Sequence, residues 1–198
     1  MLTHLSIINF AQKVASSKSV MPAGGCVTAL SGLMGVSLIE MAISSSYGYP
    51  GAEEFLVLFK KTQVRLAIIH SNLLSYIDKD AEAYNKVIAA YKLKKTTLEE
   101  EKRRRAAMQT AALEATEIPL KVACDSIEAL EFGIMLLTKV KPSVLGDLQV
   151  GLLVSKAGIE GSLTAARLNL SLIKDKQLIK ILQSRIDELQ SKLDNCNK

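Results

Sequence analysis

The spacing of apolar residues is helical along nearly the whole chain. Between Thr3 and about Ser17, apolar side chains recur every three or four positions, which predicts a first amphipathic helix. Uncharged small residues then predict a second helix over about 25–46, closed by the turn sequence Tyr47-Gly48-Tyr49-Pro50-Gly51. Because no run alternates between apolar and polar residues within turn signals, we expect no strand.

The rest of the chain has the same helical pattern, divided by residues that start or break helices. Thr97 starts a helix that runs to about Val140, since Thr97-Leu98-Glu99-Glu100 has capping-box spacing. Pro119 kinks or restarts that helix, because it lacks the N–H that the helical ladder needs. The other helices are predicted over about 52–92 with at most one break, 144–170 and 174–193. We therefore expect an all-α, single-domain bundle of six to seven helices over residues 1–198.

Composition and charge narrow the class of protein. The net charge of +5 favours anionic partners, but no nucleic-acid motif is present, so we expect no nucleic-acid ligand. Three widely spaced cysteines without a CxxC pair indicate reduced thiols, and no signal-peptide pattern opens the chain, so we expect a cytoplasmic protein. The uncharged run 19–39 contains Pro22, Gly24 and Gly25, which argue against a membrane span.

Two of the predicted helices, 25–46 and 144–170, are apolar and rich in small residues. Gly25, Ala29, Gly32 and Val36 form a face that allows very close approach by another helix. Both helices can be central in the bundle, or a second subunit can bury one of them. We predict a homo-oligomer, in the simplest case a homodimer.

A Pro-Gly loop precedes the second helix and is the first candidate binding site. Gly24 and Gly25 can adopt positive φ and expose their N–H groups, and Cys26 follows them. The start of the helix adds free N–H groups and a positive dipole end. Together with Pro22, these residues predict a cradle for an anionic or carbonyl-bearing ligand.

Carboxylates on the third predicted helix are the second candidate. Asp80 and Tyr84 are four residues apart and share one face, and Asp78 and Glu82 share the next. The alternative is a solvated acidic face that pairs with neighbouring lysines.

Two further polar residues lie in the apolar helix 144–170. Asp147 is in its first turn, where it is either a site carboxylate or a group that stabilises the helix dipole. Asn169 needs hydrogen-bond partners if it is buried. His4 and His70 are isolated, so no metal site is predicted.

Four segments, taken in order along the chain, form a recognisable set: Pro22–Gly32, Asp78–Asn85, Ala115–Leu120, and Gly146–Val150 with Asn169-Leu170. Together they make the chain resemble the cyclodeaminase/cyclohydrolase family, which includes the C-terminal domain of formiminotransferase-cyclodeaminase and the bacterial methenyltetrahydrofolate cyclohydrolases. The resemblance covers roughly residues 4–175. Its departures from the family pattern are Ala23 and Cys26 for Gly and Ser, Gly146 for Ser, Ala165 for Asn, and a missing basic segment after the second helix.

The resemblance implies a helical homodimer that acts on the one-carbon unit bridging N5 and N10 of tetrahydrofolate, with no metal or redox cofactor. Water can open the methenyl ring, or formimino-tetrahydrofolate can close with loss of ammonia, and both reactions remain open. Such chemistry assigns catalytic roles to Asp80, Asp147 and Asp78. It assigns substrate contacts to the loop and to two side chains beyond it: Pro22, Gly24, Gly25, Cys26, Tyr84 and Asn169.

Two alternatives accompany this interpretation. The charged segment Glu99–Arg105 is either a solvated helix face or a docking strip for an acidic tail, such as that of a polyglutamylated folate. The alternative to an enzyme is a folate-binding or scaffolding relative without turnover, and the departures at Ala23, Cys26 and Ala165 are its support in the sequence.

Overall fold

Six α-helices form the fold over residues 1–196, the part of the chain that the computed structural model describes. These residues contain no strand, so the prediction of an all-α bundle is confirmed. Short 3-10 turns precede α1, α3 and α5. The helices are α1 (Ile7–Val14), α2 (Gly24–Ser46), α3 (Leu56–Tyr91), α4 (Leu98–Leu136), α5 (Leu145–Leu170) and α6 (Lys176–Asn195).

Capping residues decide where these helices begin. Thr97 Oγ1 accepts from the Glu100 N–H, and the Glu100 carboxylate accepts from the Thr97 N–H, which confirms the predicted capping box. The prediction of one helix over Thr3–Ser17 is wrong. Ser6 is extended, and its hydroxyl caps the Asn9 N–H, so a separate turn over Leu2–His4 precedes a shorter α1.

Helix α4 runs through Pro119 without restarting. Proline cannot donate to the carbonyl four residues earlier, which is that of Ala115. The side chain of Asn169 on α5 supplies the missing donor, because its Nδ2 lies 2.7 Å from the Ala115 oxygen. The proline thus ties α4 to the C-terminal end of α5.

Helices α2 and α5 pack against each other, antiparallel, at the centre of the bundle. Their backbones meet at glycines: a Cβ on Gly158 would lie 2.9 Å from the Gly32 nitrogen, and one on Gly151 would lie 2.9 Å from Leu38 Cβ. The prediction that small residues on the second helix admit a close helical neighbour is confirmed. Helices α3 and α4 pack around this pair, and α6 lies against α5 and α4.

Helix α2 is long and apolar enough to cross a membrane by length and composition, with a mean hydropathy of 1.8 over its most apolar window. Half of that window is buried inside the bundle. A core helix of a globular protein meets the same criteria, and here α2 occupies the core.

Candidate active site

A cavity of about 320 Å³ opens where the N-terminal end of α2 meets α3, α4 and the C-terminal end of α5. Its size lies within the range of small-molecule sites. All four segments that carry the family resemblance contribute to it, the last one only through Asn169. It is lined by Met21, Ala23, Gly24, Gly25, Asp80, Tyr84, Val87, Ala115, Ala165, Leu168, Asn169 and Leu172.

The Asp80 carboxylate lies directly against the first turn of α2. A Cβ on Gly25 would be 2.1 Å from Asp80 Oδ1, so only glycine leaves room for the carboxylate. The Cys26 thiol donates to Asp80 Oδ2 at 3.2 Å, and the Cys26 backbone N–H donates to the same carboxylate. Ala23, the N-cap of α2, makes no side-chain cap, so Asp80 from α3 satisfies the helix end.

The prediction that Gly24 and Gly25 adopt positive φ is wrong. Gly24 and Gly25 are both helical, and the positive-φ glycines of residues 1–196 are Gly48 and Gly51, in the turn after α2. Gly25 is needed for close approach, whereas a Cβ on Gly24 would meet nothing within 4 Å.

Burial dominates the electrostatics of this pair. It raises the pKa of Asp80 above the usual value of 3.8, against the opposing effect of the two hydrogen bonds from Cys26. Burial, followed by the neighbouring Asp80 charge, raises the pKa of Cys26 to about 12, so the thiol stays protonated. Asp80 is thus a carboxylate whose proton affinity is increased, as acid–base chemistry near neutral pH requires.

The walls of the cavity come from two helix faces. On α3, Tyr84 and Val87 follow Asp80 at spacings of four and seven residues, and on α5 Leu168 and Asn169 lie on the same side of the cavity. Because Asn169 donates its amide nitrogen to Ala115, it offers its amide oxygen, an acceptor, to a ligand. Sequence analysis missed Val87 and Leu168, although their helical spacing from Asp80 and Ala165 was a usable signal.

Four predicted site residues lie outside the lining, and Cys26 is one of them, since its thiol contacts Asp80. Pro22 is buried between two lining residues. Asp78 points to the N-terminal segment, where it accepts from the Leu2 N–H and from Thr3 Oγ1. Asp147 is exposed in the first turn of α5 and is separated from Ala165 by about 27 Å along the helix axis.

The acidic-face alternative applies only to part of α3. Glu82 is exposed and Lys86 pairs with Glu114 on α4, whereas Asp80 is directed inward. Within residues 1–196, no group of three or more His, Cys, Asp or Glu side chains is placed to hold a metal ion.

A second, basic cavity of about 400 Å³ adjoins the first one. Gln109 links the two, because its Nε2 donates to the Leu172 carbonyl of the first cavity and its Oε1 accepts from the Lys174 N–H. Four cationic side chains and one carboxylate line the basic cavity. Arg103, which belongs to the charged segment Glu99–Arg105, lines a different and smaller cavity. The lining is Lys95, Glu101, Arg104, Arg105, Met108, Gln109 and Lys174.

Comparison with known proteins assigns the chain to a family. The family profile described as formiminotransferase-cyclodeaminase matches residues 6–188. The chain belongs to this family. The resemblance inferred from the sequence motifs is thereby confirmed.

Individual relatives of the chain carry two different names. The methenyltetrahydrofolate cyclohydrolase of Methylorubrum extorquens is 28% identical over 95% of this chain and 88% of that protein. The formimidoyltransferase-cyclodeaminase of Rattus norvegicus is also 28% identical, but the chain spans only 35% of its length. The crystal structure of formiminotetrahydrofolate cyclodeaminase from Thermotoga maritima matches 99% of this chain and 93% of its own, with a TM-score of 0.86 and 21% identity, which establishes the shared fold.

Proposed function

We propose that this protein is a folate one-carbon enzyme that acts on the carbon bridging N5 and N10 of tetrahydrofolate, as a methenyltetrahydrofolate cyclohydrolase or a formiminotetrahydrofolate cyclodeaminase. The observation that carries the proposal is the Asp80 carboxylate, held against Gly25 and Cys26 in a cavity whose lining contains no cationic side chain. The names of the relatives support the substrate class.

The charge of the cavity suits the methenyl form, which is the substrate of ring opening and the product of ring closure. The methenyl carbon belongs to an amidinium cation, and a buried carboxylate next to it stabilises that charge far better than solvent does. In ring opening, Asp80 takes a proton from the water whose oxygen bonds to the carbon, and returns it to N5 as the bond between the carbon and N5 breaks. In ring closure, N10 bonds to the carbon and gives its proton to Asp80, which passes it to the nitrogen that leaves as ammonia.

Two absorbance assays test this function. Purified protein is added to methenyl-tetrahydrofolate, and loss of its absorbance is compared with the spontaneous rate; separately, formimino-tetrahydrofolate is supplied, and gain of the same absorbance is followed with ammonia release. We expect one of the two rates to rise in proportion to protein concentration. Tight folate binding without either rate would instead identify the non-catalytic relative.

The basic cavity extends the proposal to the tail of the substrate. The glutamate chain of a polyglutamylated folate bound beside Asp80 would pass Gln109 and reach Lys95, Arg104 and Lys174. Such exposed charges act within a Debye length of about 8–10 Å at physiological salt, so their effect is salt-dependent.

Matched charge removals test the tail site. Lys174→Gln is expected to weaken binding of a polyglutamylated folate at low salt and to leave monoglutamate binding unchanged. Arg103→Gln, which removes the same charge outside this cavity, is the control. Equal affinity of the unmodified protein for both folates at low salt would rule the contact out.

We also propose a homodimer formed through the outer faces of α2 and α5. These central helices still expose large apolar side chains: Met34 is 46% exposed, Val150 50% and Leu153 66%. Large apolar side chains exposed on two helices that pack against each other favour a protein interface there. Sedimentation should give a dimer that Leu153→Glu dissociates, whereas Leu98→Glu, on the exposed start of α4, should not; a monomer at micromolar concentration would contradict the proposal.

A further inference from the structure

Cys26 contacts the proposed catalytic carboxylate without lining the cavity. Its Sγ lies 3.2 Å from Asp80 Oδ2, and its backbone N–H donates to the same carboxylate. The side chain is fully buried, and it is absent from the residues that face the cavity. The thiol therefore acts on Asp80 and not on a ligand, unlike the substrate contact predicted from the sequence.

The direction of the hydrogen bond follows from the two groups. A carboxylate accepts only, so the thiol has to be the donor, and burial with a pKa of about 12 keeps the thiol proton in place. The thiol holds Asp80 Oδ2 and the backbone of Gly25 lies against Oδ1, so both contacts restrict the position of the carboxylate.

We propose that Cys26 is a positioning residue that fixes the orientation and the proton affinity of Asp80 for the proposed folate reaction. The expected change in kcat rests on the proposed function, whereas the expected change in the proton affinity of Asp80 rests only on the contact between Cys26 and Asp80. A donor to the charged form favours ionisation, so loss of the thiol raises the proton affinity of the carboxyl.

The surroundings of Asp80 leave few other groups to obscure this effect. Tyr84, on the same helix, is the other titratable side chain in the cavity lining, and α4, α5 and residues 21–25 contribute no charged side chain to it. A change in the titration of Asp80 is therefore assignable to position 26.

The test compares Cys26→Ala, Cys26→Ser and, as a control with an exposed thiol, Cys124→Ala. The Asp80 carboxyl is titrated by ¹³C NMR in each folded variant, and the acid limb of the kcat profile is recorded where turnover exists. Cys26→Ala should move the NMR midpoint up by about 0.5–1 pH unit, because even a weak thiol donor favours the charged form. Its kcat should fall by about tenfold, since a loose carboxylate is poorly oriented.

Rescue separates positioning from packing. Cys26→Ser supplies a stronger, shorter donor, and its midpoint should lie at or below that of the unmodified protein with kcat restored. An Asp80 midpoint that does not move in Cys26→Ala, or that rises equally in Cys26→Ser, would overturn the inference. If the unmodified protein turns over neither folate, the proposed function fails, while the NMR midpoints still decide the role of Cys26.

Discussion

Two adjacent glycines allow the site geometry to be tested with a single methyl group. Gly25→Ala places a Cβ 2.1 Å from Asp80 Oδ1, whereas ordinary van der Waals contact begins at about 3.4 Å. The carboxylate must therefore move by more than 1 Å. Because a 1 Å misplacement of a reacting group can cost about 10²-fold in rate, we expect kcat/KM to fall by about that factor.

Gly24→Ala is the matched control, because its Cβ meets nothing within 4 Å. Both substitutions favour the helix by at most about 1 kcal/mol over glycine. In Gly25→Ala this gain is offset by loss of the charged hydrogen bonds at the end of α2, worth about 1.5–3 kcal/mol each. We expect Gly24→Ala to be as stable and active as the unmodified protein, and Gly25→Ala to be less stable.

The assay is turnover of the folate substrate at several concentrations, with circular dichroism and chemical denaturation on the same samples. A folded Gly25→Ala protein with unchanged kcat/KM would show that Asp80 is not held against this turn during the reaction. Equal losses in both variants would show that the loop tolerates no side chain, for reasons unrelated to Asp80.

Three further predictions follow from the same contacts. Asn169→Ala should lower the free energy of unfolding by about 1–3 kcal/mol in the natural chain, because the Ala115 carbonyl loses its donor. The loss should be clearly smaller in a Pro119→Ala background, where the restored N–H of residue 119 bonds to that carbonyl. Equal losses in both backgrounds would contradict the coupling between Pro119 and Asn169. Asp147→Asn should keep near-normal turnover, since one chain cannot bring this residue to the cavity; its loss would indicate a site shared between subunits. Because burial raises the pKa of Asp80, the folded state keeps a proton that the unfolded state releases between pH 3.8 and the raised value, so the free energy of unfolding should fall as pH rises through that range. Asp80→Asn should flatten part of this fall, measured as denaturation midpoints against pH. An unchanged slope in Asp80→Asn would contradict the assignment of the pH dependence to Asp80.

The helices were predictable because their signals are local. The Thr97 capping box and the glycine turn after α2 lie within a few residues of sequence, and both are present in the structure. The split of the first helix was missed because Ser6 can continue a helix or cap one, and apolar spacing does not distinguish the two.

The candidate site was predictable only in part, since it depends on contacts between distant segments. Asp80 and Gly25 were both singled out, but the sequence could not show that one occupies the space a side chain on the other would fill. Asn169 was expected to need a partner, and its partner is the carbonyl that Pro119 leaves free on another helix. The separation of Asp147 from Asn169 follows from the length of one helix, so the sequence already excluded a cavity shared by both within one chain; the structure adds that the Asn169 end lies at the cavity.

The central claim is that Asp80 transfers the proton at the bridging carbon. Its most direct test is the turnover of methenyl- and formimino-tetrahydrofolate by Asp80→Asn beside the unmodified protein. The substitution keeps the shape of the side chain and removes its charge and basicity, so we predict a loss of about 10²–10⁴-fold in kcat with an unchanged circular dichroism spectrum. Near-normal turnover by the folded Asp80→Asn protein would contradict the account.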